Sequence, residues 1–379
     1  MGKPLTVVFL IDALGWEIVQ RFDFCAGLLE NRSSLGTVLG YSSAAIPSLL
    51  SGAAPSEHGQ WAMWRKAAPG ASPFGYLRFV PPLPHPLEWR TRHLVRRWTD
   101  RRGSIEGYYD LYEIPVHLLS EFDVSQHRDP YQPAGLDCET IFDRFISKGV
   151  SYRMWYYKTP EASNMGELLE ALPGDDDVLF LYTAELDALM HRVGIFDVAV
   201  EKKLRGYERF IGSLFRGAKR AGRDLSLHVL SDHGMVDVHD SYDVWGGLNA
   251  AGFRLGRDYL AFFDSTMARF WGGDGARSAA AEMMAEANAG RELGDDELAA
   301  FGCLFEDRSY GDAVFVANPG VMFVPSFMGG TRIAAMHGYD PGDRFSRGCF
   351  LTSDAGADPP GSILDFKEYL FGRLTGGRS

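Results

Sequence analysis

The sequence predicts an α/β protein: a three-layer α/β/α sandwich with a mostly parallel central sheet and cap insertions. Several short β-rich runs are apolar nearly throughout rather than alternating, which is typical of strands buried on both faces of a sheet. Amphipathic helical patterns lie between these runs. This alternation of strands and helices favours parallel strands covered by helices on both sides.

The predicted elements follow in chain order. We expect strands over 5–11, 36–40 (the weakest), 151–157, 177–183 and 225–231. We expect helices over 137–149, 196–222 and roughly 276–290. Residues 61–136, rich in Trp, Tyr, Pro and Arg, and residues 246–330 interrupt this rhythm. We interpret both as cap or insert segments of one catalytic domain spanning 1–379.

Composition restricts the possible partners and location of the protein. The net charge of −12 argues against binding to nucleic-acid polymers or to a membrane. The apolar run near the N-terminus is too short for a signal peptide, and no stretch approaches the roughly 20 apolar residues of a membrane span. Free thiols fit a reducing compartment, so we expect a soluble, cytoplasmic protein. No CxxC pair occurs among the cysteines, which are Cys25, Cys138, Cys303 and Cys349.

Acidic and imidazole side chains follow three predicted strands, and one more histidine lies near the C-terminus. Each alone has an ordinary explanation, as a helix cap or a hydrogen-bonded core residue. Together they predict a metal centre, because ligands gather beyond the carboxyl ends of parallel strands. Oxygen and nitrogen donors without cysteine suit zinc, manganese or iron better than calcium. The candidate ligands, enough for two cations, are Asp12, Asp187, His191, Asp232, His233 and His337.

The stretch YSSAAIPSLLSGAAPSEHG, residues 41–59, gathers hydroxyl groups beside this predicted centre. Its serines either cap a helix or supply a nucleophile, since a two-metal centre activates a hydroxyl for in-line attack on phosphorus. Ser51-Gly52, Pro55, His58-Gly59, SDHGM at 231–235 and HGYD at 337–340 occur here in the order expected for one family. With Asp12 and Asp187-x-x-x-His191, they resemble the type I phosphodiesterase/nucleotide pyrophosphatase branch of the alkaline phosphatase superfamily.

The resemblance implies a two-metal phosphoester hydrolase with a phosphoserine intermediate and a small phosphorylated substrate. One cation would be held by Asp187, His191 and His337, and the other by Asp12, Asp232 and His233. Zn²⁺ is the first choice for both divalent ions, with Mn²⁺ or Fe as alternatives. Ser42, ten residues before Gly52, would be the nucleophile, with Ser43 as runner-up.

One departure from the family leaves the substrate class open. Related enzymes place an Asn shortly after the His-Gly pair to hold a phosphoryl oxygen, and here Met63 takes that place. Arg65, Lys66 or a backbone amide could replace it, and Lys158 is a further candidate substrate contact. A cationic donor would favour a monoester or phosphonate dianion, and a neutral donor would favour a diester.

Other functions remain as alternatives. A phosphomonoesterase or phosphonate hydrolase would use the same scaffold, and a non-catalytic metal-binding protein is an alternative of a different class. A sulfatase is disfavoured because SSAAI at 42–46 lacks the Arg that formylglycine formation needs. The arginine cluster of residues 88–102 is either a solvated helix face or a cap that steers an anionic substrate. The oligomeric state is not predicted.

Overall fold

A computed structural model describes residues 2–29, 31–355 and 358–376. The strands are Lys3–Ile11 (β1), Asn31–Leu35 (β2), Trp64–Lys66 (β3), Phe122–Val124 (β4), Tyr152–Trp155 (β5), Val178–Thr183 (β6), Arg223–Leu230 (β7), Val236–Asp237 (β8), Asp240–Tyr242 (β9), Leu260–Phe263 (β10), Met267–Trp271 (β11), Gly290–Leu293 (β12), Ala313–Ala317 (β13), Val321–Phe323 (β14), Ala335–Met336 (β15) and Gly348–Thr352 (β16). The helices are Trp16–Arg21 (α1), Ser42–Ser51 (α2), Pro55–His58 (α3), His85–Arg102 (α4), Ile141–Ser147 (α5), Glu161–Ala171 (α6), Glu185–Val193 (α7), Val198–Arg220 (α8), Val244–Ala250 (α9), Asp274–Glu286 (α10), Asp295–Ala300 (α11) and Phe366–Gly376 (α12).

The central sheet of the described chain has the order β2-β16-β7-β1-β6-β5. Strand β1 runs parallel to β6 and β7, and β5 runs parallel to β6. Strand β16 is antiparallel to both of its neighbours. The sheet is therefore mostly parallel, as the sequence predicts, and the carboxyl ends of β1, β6 and β7 lie side by side at one edge.

The central strand β1 packs against helices on both faces. Val7 and Phe9 join a buried cluster that includes residues of α1, α6, α7 and α8. Val8 and Leu10 point the other way, into a cluster with residues of α2, α5 and α12. Burying such a side chain on each face contributes about 1.5–3 kcal/mol, which explains the continuous apolar pattern of the strand. This is the predicted three-layer arrangement.

The predicted strand over 36–40 is wrong. The strand in this region is β2, which covers the five residues before position 36. It pairs antiparallel with β16, which the sequence pattern did not indicate. An edge strand needs few apolar residues, so NRSSL carries no strong β signal. Val38 and Leu39 are buried in a loop, where the carbonyl of Leu39 accepts a hydrogen bond from Trp61 Nε1 at 2.8 Å.

Residues 61–136 and 246–330 lie outside the central sheet. The first segment contains β3, α4 and β4, and the second contains the antiparallel sheet β10-β11-β13-β12. Arg269 joins the two segments: its buried guanidinium pairs with Asp264 at 2.9 Å and donates to the carbonyl of Trp64 at 2.7 Å. These segments are held to each other as well as to the sheet.

In the described part of the chain, no helix has both the length and the apolar character needed to cross a bilayer. All four cysteines are free thiols. A cytoplasmic location stays a prediction.

Candidate active site

The six candidate ligands meet at the carboxyl edge of the central sheet, in two groups of three. Within each group, one potential ligand atom from every residue lies within 4.8 Å of the others. The first group, called here the buried triad, is Asp12, Asp232 and His233. The second, called here the outer triad, is Asp187, His191 and His337.

The ends of β1 and β7 build the buried triad. Asp12 follows β1, and Asp232 and His233 follow β7. His233 Nε2 lies 3.4 Å from Asp12 Oδ1 and 3.3 Å from Asp232 Oδ2. His233 Nδ1 lies 2.9 Å from the carbonyl of Gly234, so Nδ1 carries the proton and the lone pair of Nε2 faces the triad. Asp232 Oδ2 is buried and accepts no hydrogen bond from the described residues.

Helix α7 and the loop after β15 build the outer triad. Asp187 and His191 lie one helical turn apart, with His191 Nε2 3.3 Å from Asp187 Oδ1. His337 Nε2 lies 3.5 Å from the same oxygen. His191 Nδ1 donates to the carbonyl of Ala335 at 2.8 Å, which again turns Nε2 inward. Within the described residues, Asp187 Oδ1 and His337 Nδ1 are buried without hydrogen-bond partners.

The electrostatics of both triads suit bound cations. Burial, reinforced by the neighbouring charge of Asp232, raises the pKa of Asp12 well above its usual value. Burial and then the nearby His233 lower the pKa of His337. Buried carboxylate oxygens without partners destabilise a fold unless something compensates them. Carboxylate and imidazole donors without sulfur fit Zn²⁺, Mn²⁺ or Fe, so the residues of each triad fit one divalent cation.

Ser42 is the first residue of α2 and faces the buried triad. Its Oγ lies 3.0 Å from His233 Nε2 and 3.4 Å from Asp12 Oδ1. Because Nε2 is an acceptor, the serine hydroxyl donates in this pair. The helix also directs the positive end of its dipole at this position. Ser43 lies on the same cleft wall, but its Oγ donates to the carbonyl of Trp61 at 3.4 Å.

Tyr41, the residue before the nucleophile candidate, connects it to the outer triad. Its ring packs edge-on against His337 at 5.5 Å, and its hydroxyl lies 2.8 Å from Thr266 Oγ1. Thr266 Oγ1 also lies within hydrogen-bond distance of the carbonyls of His337 and Gly338. Gly338 has a φ of +89°, and a Cβ there would come within 2.7 Å of the Tyr41 ring. A glycine is therefore required at this contact.

Sequence reasoning missed Tyr182. It is the penultimate residue of β6, next to β1, and its hydroxyl donates a short hydrogen bond to Asp12 Oδ2. Tyr131 stacks on its ring at 5.3 Å. Burial and then Asp12 raise the pKa of Tyr182, so it keeps its proton and holds the carboxylate in place. The sequence did contain a signal for this contact, because Tyr182 lies near the end of β6 and Asp12 directly follows the neighbouring strand β1.

A cleft of about 420 Å³ opens onto Ser42 and both triads. Within the described residues, no Lys or Arg lines it. Met63, at the position where a polar donor was expected, is part of the wall. The cleft is instead dominated by the tyrosines Tyr41, Tyr108, Tyr112, Tyr131, Tyr157 and Tyr182.

The three predicted substrate-contacting cations lie off this wall. Arg65 pairs with Asp123 at 3.1 Å, and Lys66 is exposed on β3. Lys158 Nζ pairs with Asp129 Oδ2 at 2.6 Å. Their contact with substrate stays a prediction, and this placement gives it no support.

Gln126 is a second residue that the sequence did not reveal. It lies just after β4, on the cleft wall, and the preceding amide of Ser125 donates to the carbonyl of Met63 at 2.9 Å. Its side chain is buried, with no hydrogen bond to the described residues. A neutral amide donor therefore faces the cleft beside Met63. Only the pairing of β3 with β4, about 60 residues apart in sequence, brings it there.

Known proteins share a family sequence pattern and a fold with this chain. Residues 119–340, more than half of the chain, match the family described as type I phosphodiesterase/nucleotide pyrophosphatase. No curated protein matches the chain. Among solved structures, the fold is similar to ectonucleotide pyrophosphatase/phosphodiesterase 5 from mouse (TM-score 0.66, 14% identity, 98% of this chain and 95% of that one). The human protein of that name has a TM-score of 0.68 at 11% identity, covering 98% of this chain and 94% of that one.

A third structure, the inactive mouse protein in complex with AMP, has a TM-score of 0.65 at 14% identity, with coverage of 98% and 95%. At such low identity these structures support the fold alone. The family match covers the whole outer triad together with Asp232 and His233, and it leaves out Asp12 and Ser42. The chain belongs to the type I phosphodiesterase/nucleotide pyrophosphatase family and is a phosphoric ester hydrolase.

Proposed function

We propose that this protein hydrolyses small phosphodiesters through a covalent phosphoester on Ser42. The observation that supports this most is the position of the Ser42 hydroxyl. It stands at the N-terminus of α2, 3.0 Å from His233 Nε2, and opens onto a cleft flanked by two triads of metal-binding residues. Ser42 is preferred to Ser43 because the hydroxyl of Ser43 is directed at a backbone carbonyl.

The reaction takes two in-line steps. In the first, Ser42 Oγ attacks phosphorus, the bond to the leaving alcohol breaks, and a phosphoserine ester forms. In the second, water attacks phosphorus, the bond to Oγ breaks, and the serine hydroxyl is restored. Divalent cations in the two triads would supply the Lewis acidity that lowers the pKa of the hydroxyl and offsets phosphoryl charge. Tyr182 keeps Asp12 oriented through both steps.

The cleft wall carries Asp12, Asp187 and Asp264 but no described Lys or Arg, which supports a diester over a monoester or a phosphonate. A monoester dianion carries one more charge than a diester, and no described Lys or Arg lines the cleft to offset it. The amide of Gln126 is a neutral donor suited to a singly charged phosphoryl group. The tyrosines offer flat faces on which an aromatic substituent such as a nucleobase can stack. The AMP bound by one structural relative is consistent with a nucleotide substrate here.

The test is a paired assay of bis-p-nitrophenyl phosphate, p-nitrophenyl phosphate and a nucleotide panel, with Zn²⁺ and with Mn²⁺. We expect the diester to be hydrolysed faster than the monoester. Mass spectrometry of acid-quenched enzyme should place the added phosphoester on Ser42, and Ser43→Ala should retain it. Metal binding without turnover of any substrate would instead indicate a non-catalytic metal-binding protein.

A further inference from the structure

Helix α4 carries a stripe of large apolar side chains on its solvent side. Leu87, Leu94 and Trp98 are 47%, 65% and 52% exposed. At 3.6 residues per turn, positions 87, 94 and 98 fall within about 40° of one another around the helix axis. Exposed apolar residues scattered singly are ordinary, but an aligned stripe marks an interaction surface.

An arginine stripe runs beside the apolar one at the same spacing. Arg90, Arg97 and Arg101 are exposed and, within the described residues, form no ion pair with an acidic side chain. Their neighbour Arg96 is used differently, since it pairs with Asp100 on the same helix. Three uncompensated cations in a row are unexpected on a protein whose net charge is −12.

The segment before α4 extends this surface. Phe79 is 82% exposed and Tyr76 is 47% exposed. Tyr76 shares a shallow groove with Leu94 and Trp98, and Arg97 and Arg101 form its polar rim. The outer face of α4 is defined here by the residues Tyr76, Leu87, Arg90, Leu94, Arg97, Trp98 and Arg101.

We propose that the outer face of α4 docks the protein on the surface of an anionic lipid bilayer. Leucine and tryptophan next to arginine form the pattern of a helix lying in the membrane interface, with apolar side chains among the acyl chains and cations at the headgroups. The phosphates of a nucleic acid would pair with the arginines but would leave the leucine side chains exposed to water. The expectation of no membrane contact rested on the net charge of the whole chain, and a net charge does not reveal a local row of arginines on one helix.

The position of α4 relative to the cleft gives this docking a consequence. Arg92 Nη1 donates to the carbonyl of Tyr112 at 3.0 Å, and Arg96 Nη1 donates to that of Tyr109 at 2.6 Å. Tyr108 and Tyr112 belong to the wall of the cleft. A bilayer bound by α4 therefore lies against the element that supports the substrate-facing tyrosines.

Flotation of the full-length protein with lipid vesicles tests the proposal without depending on the proposed activity. We expect binding to phosphatidylcholine vesicles that contain phosphatidylglycerol, little binding to phosphatidylcholine alone, and release by high salt. The triple variant Arg90→Glu/Arg97→Glu/Arg101→Glu should lower vesicle affinity at least about tenfold. Leu94→Ser/Trp98→Ser should also lower it, with the arginines intact. Circular dichroism confirms that each variant is folded.

A matched control reverses three exposed arginines of α8 on another part of the surface, as Arg209→Glu/Arg216→Glu/Arg220→Glu. This variant should bind vesicles like the native chain. Equal loss in both triple variants, or no binding to the anionic vesicles, overturns the proposal. So does binding to single-stranded RNA that Leu94→Ser/Trp98→Ser leaves unchanged, which would indicate a polyanion partner. A dimer in solution that the same double variant dissociates would assign the face to self-association.

Discussion

Helix α2 carries two Ser–His pairs of nearly equal length, and they do different things. Ser42 Oγ lies 3.0 Å from His233 Nε2, and Ser48 Oγ lies 2.9 Å from His58 Nε2. In the first pair the serine donates, because His233 carries its proton on Nδ1. In the second the histidine donates, because the Gln60 amide donates to His58 Nδ1 and leaves the proton on Nε2.

The two pairs also differ in their surroundings, besides the direction of the hydrogen bond. His58 and Ser48 are buried, satisfy each other, and have no place on the cleft wall. His233 has carboxylates on two sides, and one of their oxygens has no described partner. A hydrogen bond of ordinary length therefore does not mark a nucleophile. We infer the role of Ser42 instead from the direction of its hydrogen bond, the nearby carboxylates and its access to the cleft.

The largest expected difference between the pairs is catalytic. Ser42→Ala removes the oxygen that we propose attacks phosphorus, and it should lower kcat/KM about a thousandfold or more while the melting temperature changes little. Ser48→Ala should leave kcat/KM near the native value. Steady-state assays of both variants with the diester check this, and comparable losses in the two would erase the distinction.

Removing a ligand from each triad separates cation binding from the serine pair. Asp187→Asn should lose one cation per chain and about a hundredfold in activity, partly restored by excess Zn²⁺ because the outer triad is the more exposed. Asp12→Asn, in the more deeply buried triad, should be restored much less. Metal content by mass spectrometry, measured beside the rate, decides this. Full occupancy and native rates in Asp187→Asn would contradict the ligand assignment.

A smaller effect is expected from the tyrosine that orients Asp12. Tyr182→Phe keeps the ring and its stacking on Tyr131 but removes the hydrogen bond. We expect about a tenfold loss in kcat and a weaker affinity for the cation of the buried triad. Titration of the metal-free protein with Zn²⁺ measures the second quantity, and an unchanged affinity would limit Tyr182 to a packing role.

Substitutions in the Ser48–His58 pair should change the free energy of unfolding rather than the catalytic rate. Ser48→Ala leaves the Nε2–H of His58 buried without an acceptor, which costs about 1–3 kcal/mol of unfolding free energy. Denaturant unfolding measures this loss. Ser43→Ala serves as a control, since the hydroxyl of Ser43 makes one long hydrogen bond in a partly exposed position. An equally large loss there would show that any hydroxyl on α2 matters.

The subtlest difference is in pH dependence. Burial lowers the pKa of His58 to about 3, against 6.5 for an ordinary histidine. The unfolded chain therefore takes up a proton below about pH 6.5 that the folded chain refuses. The contribution of His58 to stability is complete above that pH and declines as the pH falls toward 3, by up to roughly 1.4 kcal/mol per pH unit. His58→Asn should remove this slope while the similar contribution of His228 remains.

The sequence was sufficient for the parts of the site that follow a topological rule. Continuous apolar runs indicate buried parallel strands, and polar residues at their carboxyl ends converge, which predicted one shared region for Asp12, Asp187, His191, Asp232 and His233. The apolar run of β1 and Asp12 directly after it are one example. The division into two triads, with His337, came from the family resemblance. Strand β2 escaped prediction because a polar edge strand depends on a partner more than 300 residues away.

Residues that depend on lateral neighbours were out of reach for the same reason. Gln126 reaches the cleft through the pairing of two three-residue strands, and Tyr182 reaches Asp12 across the sheet. His58-Gly59 and His337-Gly338 look alike as dipeptides, yet His58 is a core residue and His337 belongs to the outer triad. Local pattern carries no information about which carboxylates will surround an imidazole.

The close contact between Gly338 and the Tyr41 ring has a consequence for protein engineering. The Tyr41 ring packs against Gly338, and Thr266 Oγ1 lies within hydrogen-bond distance of both the Tyr41 hydroxyl and the carbonyl of His337. These contacts set the position of the start of α2 relative to the loop that carries His337. Thr266 belongs to the segment 246–330, whereas Tyr41 and Gly338 lie outside it. We expect that exchanging this segment between related enzymes would shift the Ser42 hydroxyl relative to the two triads unless the threonine were kept together with its tyrosine and glycine partners.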